Sequence, residues 1–240
     1  MSDLMAHRGG QLVTRDALDL IPLPEQTETY VPVSHYHFAN KMMALGTEIL
    51  RDYVVAGETY AVARNGNQLF ALLNFKKDNT EMGLSIAFRN SYDRSMSLGI
   101  AIGANVFICD NLALQGEIAV MKKHTKGVWN ELEDIAIATL YKSQRNFDQV
   151  VADSETLKAI PVDNDAAFRL MGMLYGHDII GPRQLTVVKD EWLKPSHEEF
   201  KERNKWSFLN ACTEALKTTP PVAILEKHIE CYNAVLETAL

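Results

Sequence analysis

From residue 98 to residue 109 the chain reads Leu98-Gly99-Ile100-Ala101-Ile102-Gly103-Ala104-Asn105-Val106-Phe107-Ile108-Cys109, a pattern that permits little besides a buried β-strand. Leu98, Ile100, Ile102, Val106 and Ile108 fall on one face of a period-two strand, and Gly99, Ala101 and Gly103 fall on the other. A face without bulk lets a second backbone come close, here that of a covering helix. The segment at 84–89 alternates in the same way, Leu84, Ile86 and Phe88 against Ser85, Ala87 and Arg89. Between the two strands lies a polar turn, Arg89-Asn90-Ser91-Tyr92-Asp93-Arg94-Ser95. Asn, Ser and Asp close turns with their own side-chain hydrogen bonds, which accounts for much of this composition. Packing does not account for the two arginines, the aspartate and the tyrosine, so a functional site is to be sought there.

The flanking sequence extends the strand pattern. Asn65-Gly66 between segments 60–64 and 68–75 predicts a hairpin with a type I′ turn, since both residues tolerate positive φ. Lys77-Asp78-Asn79-Thr80 predicts a second turn, and residues 114–122 a fifth strand. Upstream, Phe38, Met42, Leu45, Ile49 and Tyr53 form one helical stripe, with Gly57 as its expected terminator. Beyond Gly127 the period is helical: Trp129, Leu132, Ala136, Leu140 and Phe147 share a stripe, and Asp163 is a fair N-cap for a following helix. The expected class is α+β: an N-terminal helix, an antiparallel β-meander of about five strands, and a helical C-terminal half packed on or beside the sheet. The expected division is an extended arm at 1–30, an α+β core at 31–150, and a helical region at 151–240 belonging to the same domain.

Composition sets limits on the environment. At 240 residues and 47% hydrophobic content the chain can bury a substantial core. It lacks both an apolar run of about 18 residues and a signal segment, so a cytoplasmic location is expected. Cys109, Cys212 and Cys231 are widely spaced, which suits reduced core residues better than a disulfide frame or a zinc site. The net charge of −7 is uneven: residues 60–145 carry 10 basic and 8 acidic side chains, whereas residues 146–240 carry 10 and 15. The middle is thus the net-basic part, compatible with a mixed solvated surface or with a basic groove on an acidic body.

The central turn and strand resemble the phage- and plasmid-borne family catalogued as domain of unknown function 932. Its hallmark is a polar R-x-N-S-[HY]-D-x-S turn followed by a glycine-punctuated strand ending near V-F-x-C-x-N. Here these are Arg89-Asn90-Ser91-Tyr92-Asp93-Arg94-Ser95 and Val106-Phe107-Ile108-Cys109-Asp110-Asn111. Trp206-Ser207-Phe208-Leu209-Asn210-Ala211-Cys212-Thr213-Glu214 is similar to the family's W-x-x-x-N-A-x-T-E, and Val31-Pro32-Val33-Ser34 with Ala39-Asn40 to its opening segment. The chain departs from the pattern with Arg89 directly before Asn90, with Tyr92 where histidine is common, and with a short acidic N-terminus. The resemblance implies a mobile-element origin, near recombination and DNA-handling functions. At the level of fold alone, a helix, a meander and a helix is also the order in phage single-strand annealing proteins, which assemble into rings.

Candidate chemistry is sparse. His35 and His37 would share a face of an extended strand, as metal ligands can, but no third ligand is nearby. His177-Asp178 suits a helix end. Asp93 with Arg89 and His124 would make a hydrolytic cluster. Phosphate-loop, dinucleotide, nucleophile-elbow and zinc-protease motifs are missing, which weighs against an enzyme; no catalytic residue, metal or cofactor is assigned. Nucleic-acid binding asks for cations and stacking faces, and the meander supplies Arg64, Lys76, Lys77, Arg89, Tyr92, Arg94, Lys122, Lys123 and Lys126, expected along one rim. The expected function is therefore non-catalytic association with nucleic acid, single-stranded DNA above all, in recombination or annealing, with a homo-oligomer as a further expectation. The alternative is an acidic factor that binds or inhibits a host protein through its C-terminal helices. A metal-dependent hydrolase ranks third, and no membrane partner is expected.

Overall fold

The computed structural model describes residues 10–77, 82–106, 111–114, 120–125, 127–220 and 223–239. The turn expected at Lys77-Asp78-Asn79-Thr80 falls mostly outside these residues, as do Cys109, Asp110 and Lys126.

Among the described residues seven antiparallel strands form one sheet: β1 (Gln11–Val13), β2 (Val54–Ala63), β3 (Gln68–Lys76), β4 (Met82–Ser91), β5 (Leu98–Val106), β6 (Asn111–Leu114) and β7 (Val120–Lys122). Among the same residues six α-helices accompany it: α1 (His35–Ile49), α2 (Val128–Lys158), α3 (Asn164–Gly176), α4 (Pro182–Leu193), α5 (Lys205–Leu216) and α6 (Ile224–Glu237). The class is α+β, as expected. The strands run in chain order from β1 to β6, and β7 pairs with β5. Among the described residues no helix is long and apolar enough to cross a membrane.

The alternation seen in sequence divides the sheet's two faces. Leu69, Leu73, Phe75, Leu84, Ile86, Phe88, Leu98, Ile100 and Ile102 belong to one large cluster with Phe38 and Met42 of α1 and Leu132, Ala136 and Leu140 of α2. That cluster continues from Leu18 to Val235 through the C-terminal helices. On the opposite face Ala61, Phe70, Leu72, Ala87 and Ala101 meet Ile224 and Leu225 of α6. Ala101 of β5 thus lies under a helix. On the α1 side the approach is closer still: a Cβ built at Gly46 would stand 2.6 Å from Phe75 Cζ.

Several boundaries depart from expectation. α1 begins at His35, because Ser34 Oγ accepts from His37 N–H as an N-cap, and it ends at Ile49. Gly57 therefore ends no helix; it lies in β2 beside Ala56, an extra residue set between the pairs Val55↔Phe75 and Gly57↔Asn74. The lead-in is not a bare arm, since β1 pairs with β2, a 3-10 turn spans Asp16–Leu20, and Leu18 is buried. The β2–β3 hairpin is present, but Ala63 pairs with Gln68 and Arg64, Asn65 and Gly66 all have positive φ, so the loop is longer than the two-residue type I′ turn. Residues 115–119 of the expected fifth strand lie outside the described residues; β6 and β7 on either side pair with opposite ends of β5. β4 runs on to Ser91, which draws the first residues of the expected turn into the sheet. Asp163 does cap α3, accepting from Ala166 N–H at 2.7 Å, and His177 does close its C-terminal end.

Candidate functional site

At the β4–β5 end of the sheet a cavity of about 530 Å³ opens between the turn at 92–97, the link from β7 to α2, the lead-in at Thr29 and Tyr30, and the first turn of α6. Its cationic groups are Arg89, Arg94 and Lys123, and its acid among the described residues is Glu226. Arg89 follows Ala87 on the α6 face of β4 and is 1% exposed. Its two terminal nitrogens donate to the two Glu226 oxygens at 2.8 and 2.7 Å, a bidentate pair that joins sheet to α6. Glu226 is thereby occupied, so the charge left at the mouth is that of Arg94 and Lys123, both exposed. The Arg94 guanidinium lies 4.3 Å from the centre of the Tyr30 ring.

The turn is braced by its own polar groups. Ser91 Oγ donates to Met96 O and accepts from Met96 N–H. Asp93 accepts from the backbone N–H and the hydroxyl of Ser95, while Gln68 donates to Ser95 Oγ at 2.7 Å. Burial pushes the Asp93 carboxyl up, but the Ser95 bonds and Arg64 at 3.4 Å prevail and hold its pKa below the ordinary value. Tyr30 Oη donates to the carbonyl of Tyr92 at 3.2 Å and so seats the lead-in on the turn.

Behind the cavity wall lies a buried polar chain absent from the sequence-based expectations. Asn90 Nδ2 donates to Val33 O at 2.6 Å and lies 2.9 Å from His35 Nδ1. Asn90 Oδ1 lies 2.7 Å from His124 Nε2, and His35 Nε2 lies 3.0 Å from Gly66 O. Tyr92 stacks on the His35 ring at 3.8 Å, and its hydroxyl accepts from His35 N–H at 2.8 Å. Burial lowers the His35 pKa to about 4 and holds His124 below its usual value, so both rings are neutral at pH 7.

These positions correct the expected rim. Arg89 and Tyr92 are interior and not solvent-facing; strand β4 continues to Ser91, so Arg89 points under α6 and Tyr92 under the start of α1. Lys76 and Lys77 stand at the opposite end of the sheet, because Lys76 pairs with Val54 while Gln68 and Ser91 pair at the cavity end. Arg64, Arg94 and Lys123 are the exposed cations that do share that end, where the backbone of Lys122 pairs with Leu98. His35 and His37 are not a strand pair: on a helix residues two apart diverge, and His35 is buried while His37 is exposed. The hydrolytic trio is not assembled either, since Asp93 turns to Ser95 and Arg64, and Arg89 to Glu226. The W-x-x-x-N-A-x-T-E segment forms α5, buried along most of its length, with Asn210 Nδ2 donating to Trp206 O. Cys212 and Cys231 are free and buried, as expected of reduced core residues.

No curated protein and no solved structure matches the chain. A family model does match: the family described as Domain of unknown function (DUF932), over residues 26–228, which takes in the central turn, the buried histidine chain and every residue named at the cavity. The chain belongs to that family.

Proposed function

We propose that this protein is a non-catalytic, nucleic-acid-associated factor that holds single-stranded DNA across the cavity end of its sheet, in a DNA-handling role such as recombination or annealing. One observation carries the reading. The cavity mouth presents two exposed cations, Arg94 and Lys123, with the hydroxyls of Thr29, Ser95, Ser97 and Thr125, while its carboxylate is engaged by Arg89. Such a mouth suits phosphate oxygens, which take charge from cations and hydrogen bonds from hydroxyls. Arg64 stands nearby, held by a single contact to Asp93, and can exchange that partner for phosphate. The outer plane of the Arg94 guanidinium, backed by Tyr30, offers a base a stacking surface.

With two or three phosphates neutralised, affinity for a single strand should fall about tenfold between about 50 and 200 mM salt. Fluorescence anisotropy with single- and double-stranded oligonucleotides across a salt series measures this, and the Arg94→Ala/Lys123→Ala variant should flatten the salt dependence. An absence of binding at low salt, or binding indifferent to salt, would sink the reading. Size-exclusion chromatography of the same samples tests assembly into a ring-sized oligomer.

A further inference from the structure

We propose, resting on the strand-binding reading above, that the cavity takes one base of the bound strand edge-on, and that His124 Nδ1 accepts that base's ring N–H. The site then favours bases carrying an imino proton, thymine and guanine, over cytosine and adenine, whose corresponding ring nitrogen is an acceptor.

Two backbone carbonyls, Val33 O and Gly66 O, bound the buried chain. Val33 O can only accept, so the Asn90 atom 2.6 Å from it is the amide nitrogen, and Oδ1 is the atom that meets His124. Oδ1 can only accept, so His124 Nε2 carries a proton. The neutral ring then has a bare lone pair at Nδ1. Gly66 O fixes the other end in the same way: His35 Nε2–H donates to it, and His35 Nδ1 accepts from Asn90 Nδ2. Asn90 and His35 are fully buried and His124 is 6% exposed, so neither ring can turn over without breaking a buried hydrogen bond.

His124 is also the member of this chain that lines the cavity, and its Nδ1 has no hydrogen-bond partner among the described residues. The other cavity groups are mainly donors, Arg94 and Lys123, or hydroxyls that can serve either way. His124 Nδ1 is therefore a fixed acceptor in a donor-rich pocket. Burial keeps the ring neutral near pH 7, where Nδ1 accepts and does not donate. A volume of about 530 Å³ accommodates a base with its sugar, and the cations at the mouth leave the phosphate outside. An acceptor-edged base would set lone pair against lone pair at His124, at a cost of about tenfold in affinity.

The test compares oligothymidylate with oligocytidylate of equal length, both pyrimidine strands, by anisotropy at low salt. Thymidylate should bind about tenfold tighter, and His124→Ala should lower its affinity to that of cytidylate. Independently of any variant, a long-range ¹H–¹⁵N spectrum of the wild-type protein should show the bare His124 Nδ1 resonance move upfield with thymidylate and stay in place with cytidylate. Equal affinity for the two strands, a preference that survives His124→Ala, or a stationary Nδ1 resonance with both strands overturns the inference while the strand-binding reading stands. Salt-independent or absent binding to both strands removes both.

Discussion

Exchanging Glu226 for glutamine tests how α6 is fastened to the sheet. The substitution keeps the side chain's size and takes from Arg89 the carboxylate that now accepts from both its terminal nitrogens. The Arg89 side chain is 1% exposed and that of Glu226 is 31% exposed. Removing one member of a fully buried ion pair costs about 3–5 kcal/mol, because a charge is left in a medium that solvates it poorly. Water reaches the carboxylate side here, which places Glu226→Gln at the lower end, about 3 kcal/mol. For a chain of this length each kcal/mol lowers the melting midpoint by about 2–4 °C, so a fall of about 6–12 °C is expected. Urea unfolding should show a lower midpoint with an unchanged slope. The Arg89→Met/Glu226→Leu variant removes both charges together and should lose less stability than Glu226→Gln does. A Glu226→Gln protein that melts with the wild type, or a double variant less stable than Glu226→Gln, would refute the reasoning.

Gly46→Ala drives a methyl group to 2.6 Å from the Phe75 ring, itself fully buried, and should cost about 1–3 kcal/mol of overpacking, more than the roughly 1 kcal/mol of helix propensity gained; a melting midpoint at or above the wild type's counts against it. His35 has a pKa of about 4 when folded against an ordinary 6.5, so the folded state binds fewer protons in between. Its contribution is complete above pH 6.5 and fades as pH falls toward 4, up to about 3 kcal/mol, with His124 acting in the same direction. Thermal melts between those limits should show the loss, His35→Gln should reduce the slope, and a flat wild-type profile would contradict the assignment. Burial pushes the Cys212 thiol up and Cys231 is equally enclosed, so a thiol reagent should label these two only on unfolding; labelling of either in the native protein speaks against the packing described.

What could be read from sequence was local. The strand starting at Leu98, described over Leu98–Val106, the hairpin at Asn65-Gly66 and the cap at Asp163 are each set by residues a few positions apart, and the structure contains all three. Boundaries differ where a cap decides them: the apolar stripe begins at Phe38, but Ser34 caps α1 so that it starts at His35, which puts both histidines on the helix and not on a strand. Alternation did place Arg89 opposite Phe88, on the face with Ala87, but not that this face would be roofed by α6 and its Glu226, 137 residues away along the chain. The His35–Asn90–His124 chain was hidden for the same reason. Its members come from a helix start, a strand end and a link, and strand register alone brings them together. Lys76 and Lys77 show the converse: plausible neighbours of Arg94 by composition, they are separated from it by the length of β3.

The extra residue at Ala56 bears on how far this edge of the sheet can template further strands. β1 covers β2 at Tyr60, Ala61 and Val62, which leaves the stretch from Val54 to Thr59 as an open backbone edge among the described residues, with Val54 and Val55 exposed. An open edge of β-branched residues is a template on which further chains can stack, and stacked chains aggregate. The kink at Ala56 breaks the regular row of amides and carbonyls that such growth needs. A chain lacking that one residue would present a straight edge, and its liability would be fibre-like association, with little change in the packing of its core.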